Sequence, residues 1–150
     1  MSYETKTIYT YNCHLLVMLG NLIYEETGRI TGTRVLNAEE NKIENSVTGE
    51  GKCKDVDTIG IGTYWSISVD KNVVYGEGQG IITAKESGET ATIRGYGIGR
   101  FSDSGKMTMR GTNFYKSSSG QLSHLNNTIG PFEFEVDESG NYQLKVWEWK

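Results

Sequence analysis

From Leu22 onward, apolar and polar residues alternate with a period of two, broken by turn residues every dozen or so positions. Successive side chains of a strand point to opposite faces, so this alternation predicts half-buried strands, and its regular recurrence predicts an all-β sandwich or barrel. The pattern places strands over 20–36, 41–52, 56–69, 72–85, 89–101, 106–117, 128–136 and 141–149, with one short helix over 119–126. Glu86-Ser87-Gly88, Asp103-Ser104-Gly105 and Glu138-Ser139-Gly140 each fit a three-residue hairpin loop with glycine in the left-handed conformation. Such loops make successive strands antiparallel neighbours. The expected fold class is all-β, an eight-stranded antiparallel meander closed into a barrel with one short helix. Closure is favoured over two stacked sheets because it leaves no edge strand exposed. Residues 1–18 precede the alternation and read as an N-terminal extension to a single β-barrel domain over 19–150.

Pairing registers separates the two faces, since a one-residue slip turns every side chain to the other side. Closing the loop at 103–105 sets Gly97 against Gly111, Gly99 against Met109 and Ile93 against Tyr115, with Arg100, Arg110 and Lys106 on the opposite face. The last hairpin sets Phe132, Phe134 and Val136 against Val146, Leu144 and Tyr142, and turns Glu133, Glu135 and Lys145 outward. At Glu86-Ser87-Gly88 a three-residue loop conflicts with burial. A two- or four-residue loop setting Gly76, Gly78 and Gly80 against Gly99, Gly97 and Gly95 keeps Val74, Ile82, Ala84, Ala91, Ile93 and Phe101 on one face. Continued into the preceding strand, that face takes in Ile61, Trp65, Ile67 and Val69. The result is an apolar inner wall with a glycine floor. Because glycine weakens a strand interior, such a floor implies the close approach of bulk from across the lumen or of a ligand.

Composition narrows the functional classes. With 36% hydrophobic and 23% charged residues, 19 glycines and one proline, the chain is neither collagen-like nor disordered. A net charge of −4 without a Lys/Arg cluster argues against nucleic acid as partner, and the run Leu15–Leu19 is too short for a membrane span or a secretory signal core. Cys13 and Cys53 are too few for a disulfide scaffold, so reduced thiols and a cytoplasmic location are expected. His14 and His124 have no partner at metal-ligand spacing, and neither a metal nor a cofactor is expected. The G-x-G-x-G runs at 76–80 and 95–99 open no helix and read as strands rather than phosphate loops. No nucleophile sits in a recognisable elbow. On the outer face, Glu77 and Arg110 flanking Ile98 read as a surface ion-pair ladder, and Trp147 and Trp149 offer a surface for a homo-oligomer or for cover by residues 1–18.

The first strand carries the candidate chemistry. Its even-numbered face, with Leu22, Tyr24, Ile30 and Leu36, is the more apolar one, yet it includes Glu26 and Arg34. Charges on an inward face are rarely left unpaired, so the two either reach water at opposite rims or act as polar anchors in a pocket. Eight residues at ~3.3 Å each put their backbones roughly 26 Å apart, too far for a direct pair. With inward Thr63, Asn113 and Tyr115 they supply the few convergent polar groups of a largely apolar ligand site. The expected ligand-binding set is Tyr24, Glu26, Arg34, Trp65, Met109, Asn113, Tyr115, Phe132 and Phe134, and Arg34 implies an anionic head group at its end.

The stretches Leu22-Ile23-Tyr24-Glu25 through Gly32-Thr33-Arg34-Val35-Leu36, Tyr75-Gly76-Glu77-Gly78-Gln79-Gly80-Ile81, Gly99-Arg100-Phe101, Phe132-Glu133-Phe134-Glu135-Val136-Asp137 and Lys145-Val146-Trp147-Glu148-Trp149 resemble an uncharacterised family of small prokaryotic β-barrel proteins. More distantly the whole resembles the allene oxide cyclase-like and calycin-like barrels. That resemblance implies a lumen that binds or cyclises apolar small molecules, on fold-level analogy. The leading expectation is a non-catalytic barrel that binds a small apolar or amphipathic molecule. Its rivals are an isomerase or cyclase in which a buried Glu26 acts as acid or base, and a structural or interaction module with a filled barrel.

Overall fold

A computed structural model of the chain describes residues 19–118 and 120–149; the N-terminal extension and any cover it gives Trp147 and Trp149 lie outside the described residues. Eight strands, β1 (Leu19–Asn37), β2 (Lys42–Cys53), β3 (Val56–Asp70), β4 (Val73–Ala84), β5 (Thr90–Phe101), β6 (Met107–Ser117), β7 (Thr128–Val136) and β8 (Asn141–Trp149), pair in chain order. The antiparallel pairing of β1 with β8 closes the barrel. The short helix is a 3-10 turn, Gly120–Leu125, whose buried Leu122 and Leu125 pack in the link between β6 and β7.

Turn chemistry sets two of the three hairpins. Gly105 and Gly140 take φ of 91° and 82°, and three-residue loops close on Ser102–Lys106 and Asp137–Asn141. Gly97 therefore faces Gly111, Gly99 faces Met109, and Phe134 faces Leu144. The β4–β5 hairpin corrects the expected register. Ala84 exchanges backbone bonds with Glu89 and Gly88, so a four-residue loop, Lys85–Gly88, begins one position earlier than expected. Glu89 is held there by the Gln121 amide, which donates to its carboxylate at 2.7 Å. Gly76, Gly78 and Gly80 consequently face Gly97, Gly95 and Ile93, a slip of two residues that leaves each side chain on its expected face. The slip also seats Ile98 between Tyr75 and Arg110 rather than beside Glu77. The expected ladder is replaced by local pairs, Tyr75 donating to Glu77 and Arg110 to Glu133.

Two further corrections concern which side faces in. In β1 the pairing steps from Ile30–Val47 to Gly32–Ser46, a β-bulge that leaves Thr31 unpaired and exchanges the two faces. Tyr24, Glu26, Gly28 and Ile30 point inward, whereas Arg34 beyond the bulge points outward and binds Glu44 at 2.9 Å. In β3 the inward face is Thr58, Gly60, Gly62, Tyr64 and Ser66, so Thr63, Trp65, Ile67 and Val69 belong to the outer face. Trp65 stacks edge-on against Tyr75 and carries the Lys42 ammonium 4.1 Å above its ring, and Ile61 is 56% exposed. The inner face carries glycine in β3, and in β4 at Gly76, where side chains of strands two removed in the sheet lie over the backbone. A Cβ on Gly60 would meet the Glu26 carboxylate, and one on Gly76 would lie 2.8 Å from the Met109 methyl.

Candidate functional site

Glycines of three adjacent strands create the site. Gly28, Gly49 and Gly60 are direct cross-strand partners in one row of β1, β2 and β3. A Cβ at Gly28 or Gly49 would fall 2.7 or 2.5 Å from the Tyr142 hydroxyl, and one at Gly60 would overlap the Glu26 carboxylate. The row thus forms a shelf on which Glu26 of β1 and Tyr142 of β8 lie flat.

Glu26 is 7% exposed and is the only charged side chain among the buried described residues. Tyr142 donates to its Oε1 at 2.5 Å, and Tyr24 donates to Oε2. Both carboxylate oxygens therefore act as acceptors. Burial first, then the neighbouring Glu26 charge, raises the Tyr24 and Tyr142 hydroxyls well above the usual phenol range, so both remain proton donors at physiological pH. Among the described residues no Lys or Arg is paired with Glu26. Of the two expectations for an inward Glu26, water at a rim is thereby set aside; it is a polar group within the lumen.

The carboxylate borders a cavity of about 120 Å³ lined by Tyr64, Met109, Asn113, Phe132, Phe134 and the glycine wall. The aromatic rings are interlocked: Tyr64 meets Phe134 edge-on at 5.5 Å, and Phe134 meets Tyr142 at 5.0 Å. Asn113 sits over Gly95, its Nδ2 donating to the Tyr115 hydroxyl at 3.2 Å. Tyr64 also lines a second space of about 250 Å³ with Ile30, Val74, Phe101, Met107 and Val136, toward the end opposite the 3-10 helix. That space, the vestibule, shares Tyr64 with the cavity.

Of the expected ligand-binding residues, the fold gathers Glu26, Met109, Asn113, Phe132 and Phe134 around one cavity. Tyr24 and Tyr115 are wholly buried behind it as hydrogen-bonding supports. Trp65 and Arg34 lie on the outside of the barrel. Tyr64 and the Gly28-Gly49-Gly60 shelf are additions that the alternation pattern does not single out. Tyr142 was legible as inward from the last hairpin, but not as a partner of Glu26, 116 residues away.

One other pair of reactive side chains lies near the 3-10 helix. Cys53 Sγ is 3.1 Å from His124 Nε2 and donates to the Ile23 carbonyl at 3.4 Å. Burial pushes the thiol up to about 11 and pushes the imidazole down, so the pair is neutral at pH 7 and supplies no thiolate. In native protein Cys53 is therefore expected to resist maleimide over hours and to be labelled promptly in denaturant, as read by peptide mapping. Rapid native labelling at Cys53 would show an open route to this end.

This barrel is found elsewhere. A conserved protein of unknown function from Rhodopseudomonas palustris superposes with a TM-score of 0.71 at 12% identity, covering 87% of this chain and 96% of the other. A protein of unknown function from Clostridium acetobutylicum ATCC 824 superposes with a TM-score of 0.73, also at 12% identity, covering 87% of this chain and 98% of the other. At this identity the likeness is one of fold. The chain matches no sequence-family model and no curated protein. Among the described residues no three His, Cys, Asp or Glu side chains converge on a metal site, and no helix is long and apolar enough to cross a membrane.

Proposed function

We propose that this protein is a binding barrel that takes a small apolar or amphipathic molecule into its lumen. The observation that carries this reading is the buried Glu26 carboxylate, held by two tyrosines at the edge of a largely apolar cavity. A buried charge is costly to a purely structural core, and replacing buried ionic groups by packed apolar ones is often neutral or stabilising. A few oriented polar groups in an apolar, concave site are the usual make-up of a ligand pocket. The cavity's size limits the occupant. A void of roughly 150 Å³ holds one benzene ring, so about 120 Å³ suits a compact molecule or one end of a longer one whose remainder lies in the vestibule. Because Arg34 is outside the barrel, the anionic head group expected at its end has no anchor in the lumen.

A second reading, an isomerase or cyclase of the allene oxide cyclase type, draws on the same carboxylate, since a glutamate in an apolar cavity is placed to move a proton. Native mass spectrometry with solvent extraction of freshly purified protein, joined to NMR titration with benzene-sized probes, tests the binding reading. The expected result is saturable shifts of the Met109 and Leu144 methyl signals. Failure of neutral, cationic and anionic probes alike would leave the filled, structural barrel as the better account.

A further inference from the structure

We infer that the ligand's recognised end is a protonated amine, which pairs with Glu26 inside the lumen. This rests on the binding reading and specifies its chemistry.

The buried anion of the lumen is held by phenols and by no cation among the described residues. The phenol hydrogens of Tyr24 and Tyr142 are directed at Glu26, to Oε2 and Oε1, and the Tyr64 hydroxyl is a further donor at the cavity wall. The Asn113 amide nitrogen is directed at Tyr115, which leaves the Asn113 Oδ1 acceptor over Gly95 at the cavity wall. Beside the Tyr64 hydroxyl the cavity thus presents two acceptors, the remaining lone pairs of Glu26 and the Asn113 carbonyl, and of these Glu26 is the charged one. A carboxylate ligand would meet these as a like charge. An ether or ketone would gain no hydrogen bond from them. An ammonium group supplies three donors and a positive charge, and a carboxylate can accept about four hydrogen bonds, of which the tyrosines use two.

The walls agree with this. Tyr64, Phe134 and Tyr142 line the cavity beside Glu26, and aromatic faces attract a cation, more strongly when water is excluded. The net charge of −4 and the lack of a buried cation among the described residues leave nothing in the lumen to oppose an entering ammonium group. Size adds the last restriction. A cavity of about 120 Å³ admits a short primary amine, or the ammonium end of a longer one whose ring lies in the vestibule, and excludes bulky quaternary ammonium groups.

The test uses three probes of one shape, benzylamine, benzyl alcohol and benzoate, titrated by NMR and calorimetry into the full chain at pH 7. Benzylamine is expected to bind at least tenfold more tightly than the other two. In Glu26→Gln this preference should fall to within about threefold. Should Glu26→Gln not fold, Tyr142→Phe provides the second measurement, because it keeps the ring against Phe134 while freeing one carboxylate lone pair. The preference for the amine should then hold or grow. If benzyl alcohol or benzoate binds as well as benzylamine, or if Glu26→Gln keeps the tenfold preference, the amine inference is overturned while lumen binding stands. If none of the three binds, the binding reading itself fails.

Discussion

Gly97→Val is expected to lower the melting temperature by ~5 °C or more, whereas Gly32→Val leaves it nearly unchanged. A Cβ on Gly97 would lie 2.5 Å from the Arg110 carbonyl oxygen, 3.0 Å from the Arg110 carbonyl carbon and 3.2 Å from Met109 Cγ. The first two contacts are to backbone of the neighbouring strand, so rotating a side chain cannot relieve them. The β5–β6 ladder would have to separate where Gly76, Gly97 and Gly111 stand in one row. Overpacking of this kind typically costs ~1–3 kcal/mol, and each kcal/mol moves the melting point of a domain this size by ~2–4 °C. Gly32, by contrast, sits beyond the bulge of β1, and a Cβ there would meet nothing within 4 Å. Thermal unfolding followed by circular dichroism compares the two variants directly, and equal melting temperatures would show that the glycine rows carry no packing role.

The second large effect is conditional on another residue. Gly60→Ala places a methyl group on the Glu26 carboxylate, and the atoms it meets belong to a side chain that can swing away. The barrel should survive, but Glu26 would leave its shelf and lose its bonds from Tyr24 and Tyr142. Hydrogen bonds to a charged group are worth ~1.5–3 kcal/mol each, so a destabilisation on the order of 3 kcal/mol is expected. In a Glu26→Ala background the same substitution should cost less than ~1 kcal/mol, because the space over Gly60 is then free. Urea unfolding of the parent, both single variants and the double variant gives the coupling energy, and additivity within ~0.5 kcal/mol would mean that Gly60 and Glu26 act independently.

The order of the elements was legible in the chain because it depends on local rules. Alternation, together with left-handed glycines in the loops at 103–105 and 138–140, locates every strand to within one or two residues and sets two hairpin registers. These features act within a hairpin, where a few residues determine the outcome. The β4–β5 register was not legible. Its loop closes on Glu89, and Glu89 is anchored by Gln121, more than thirty residues away in the chain.

The functional site divides along the same line. Glu26, Met109, Asn113, Phe132 and Phe134 were identifiable because each follows the inward parity of its own uninterrupted strand segment. Arg34 and Trp65 were misplaced by the assumption that parity runs the length of a strand and that the more apolar face is the buried one. A single extra residue in β1 exchanges its faces, and whether a bulge forms depends on the fit to Ser46 and Val47 of the partner strand. In β3, Gly60 faces inward because the Glu26 carboxylate of β1 lies over it, a contact between strands that meet only through β2. The sequence by itself thus determined the strands, their antiparallel order and most of the inward residues, all consequences of short-range periodicity. Tertiary structure alone decided that Glu26 meets Tyr142 over a shelf of three glycines, because volume in a narrow lumen is shared among strands that are distant in the chain.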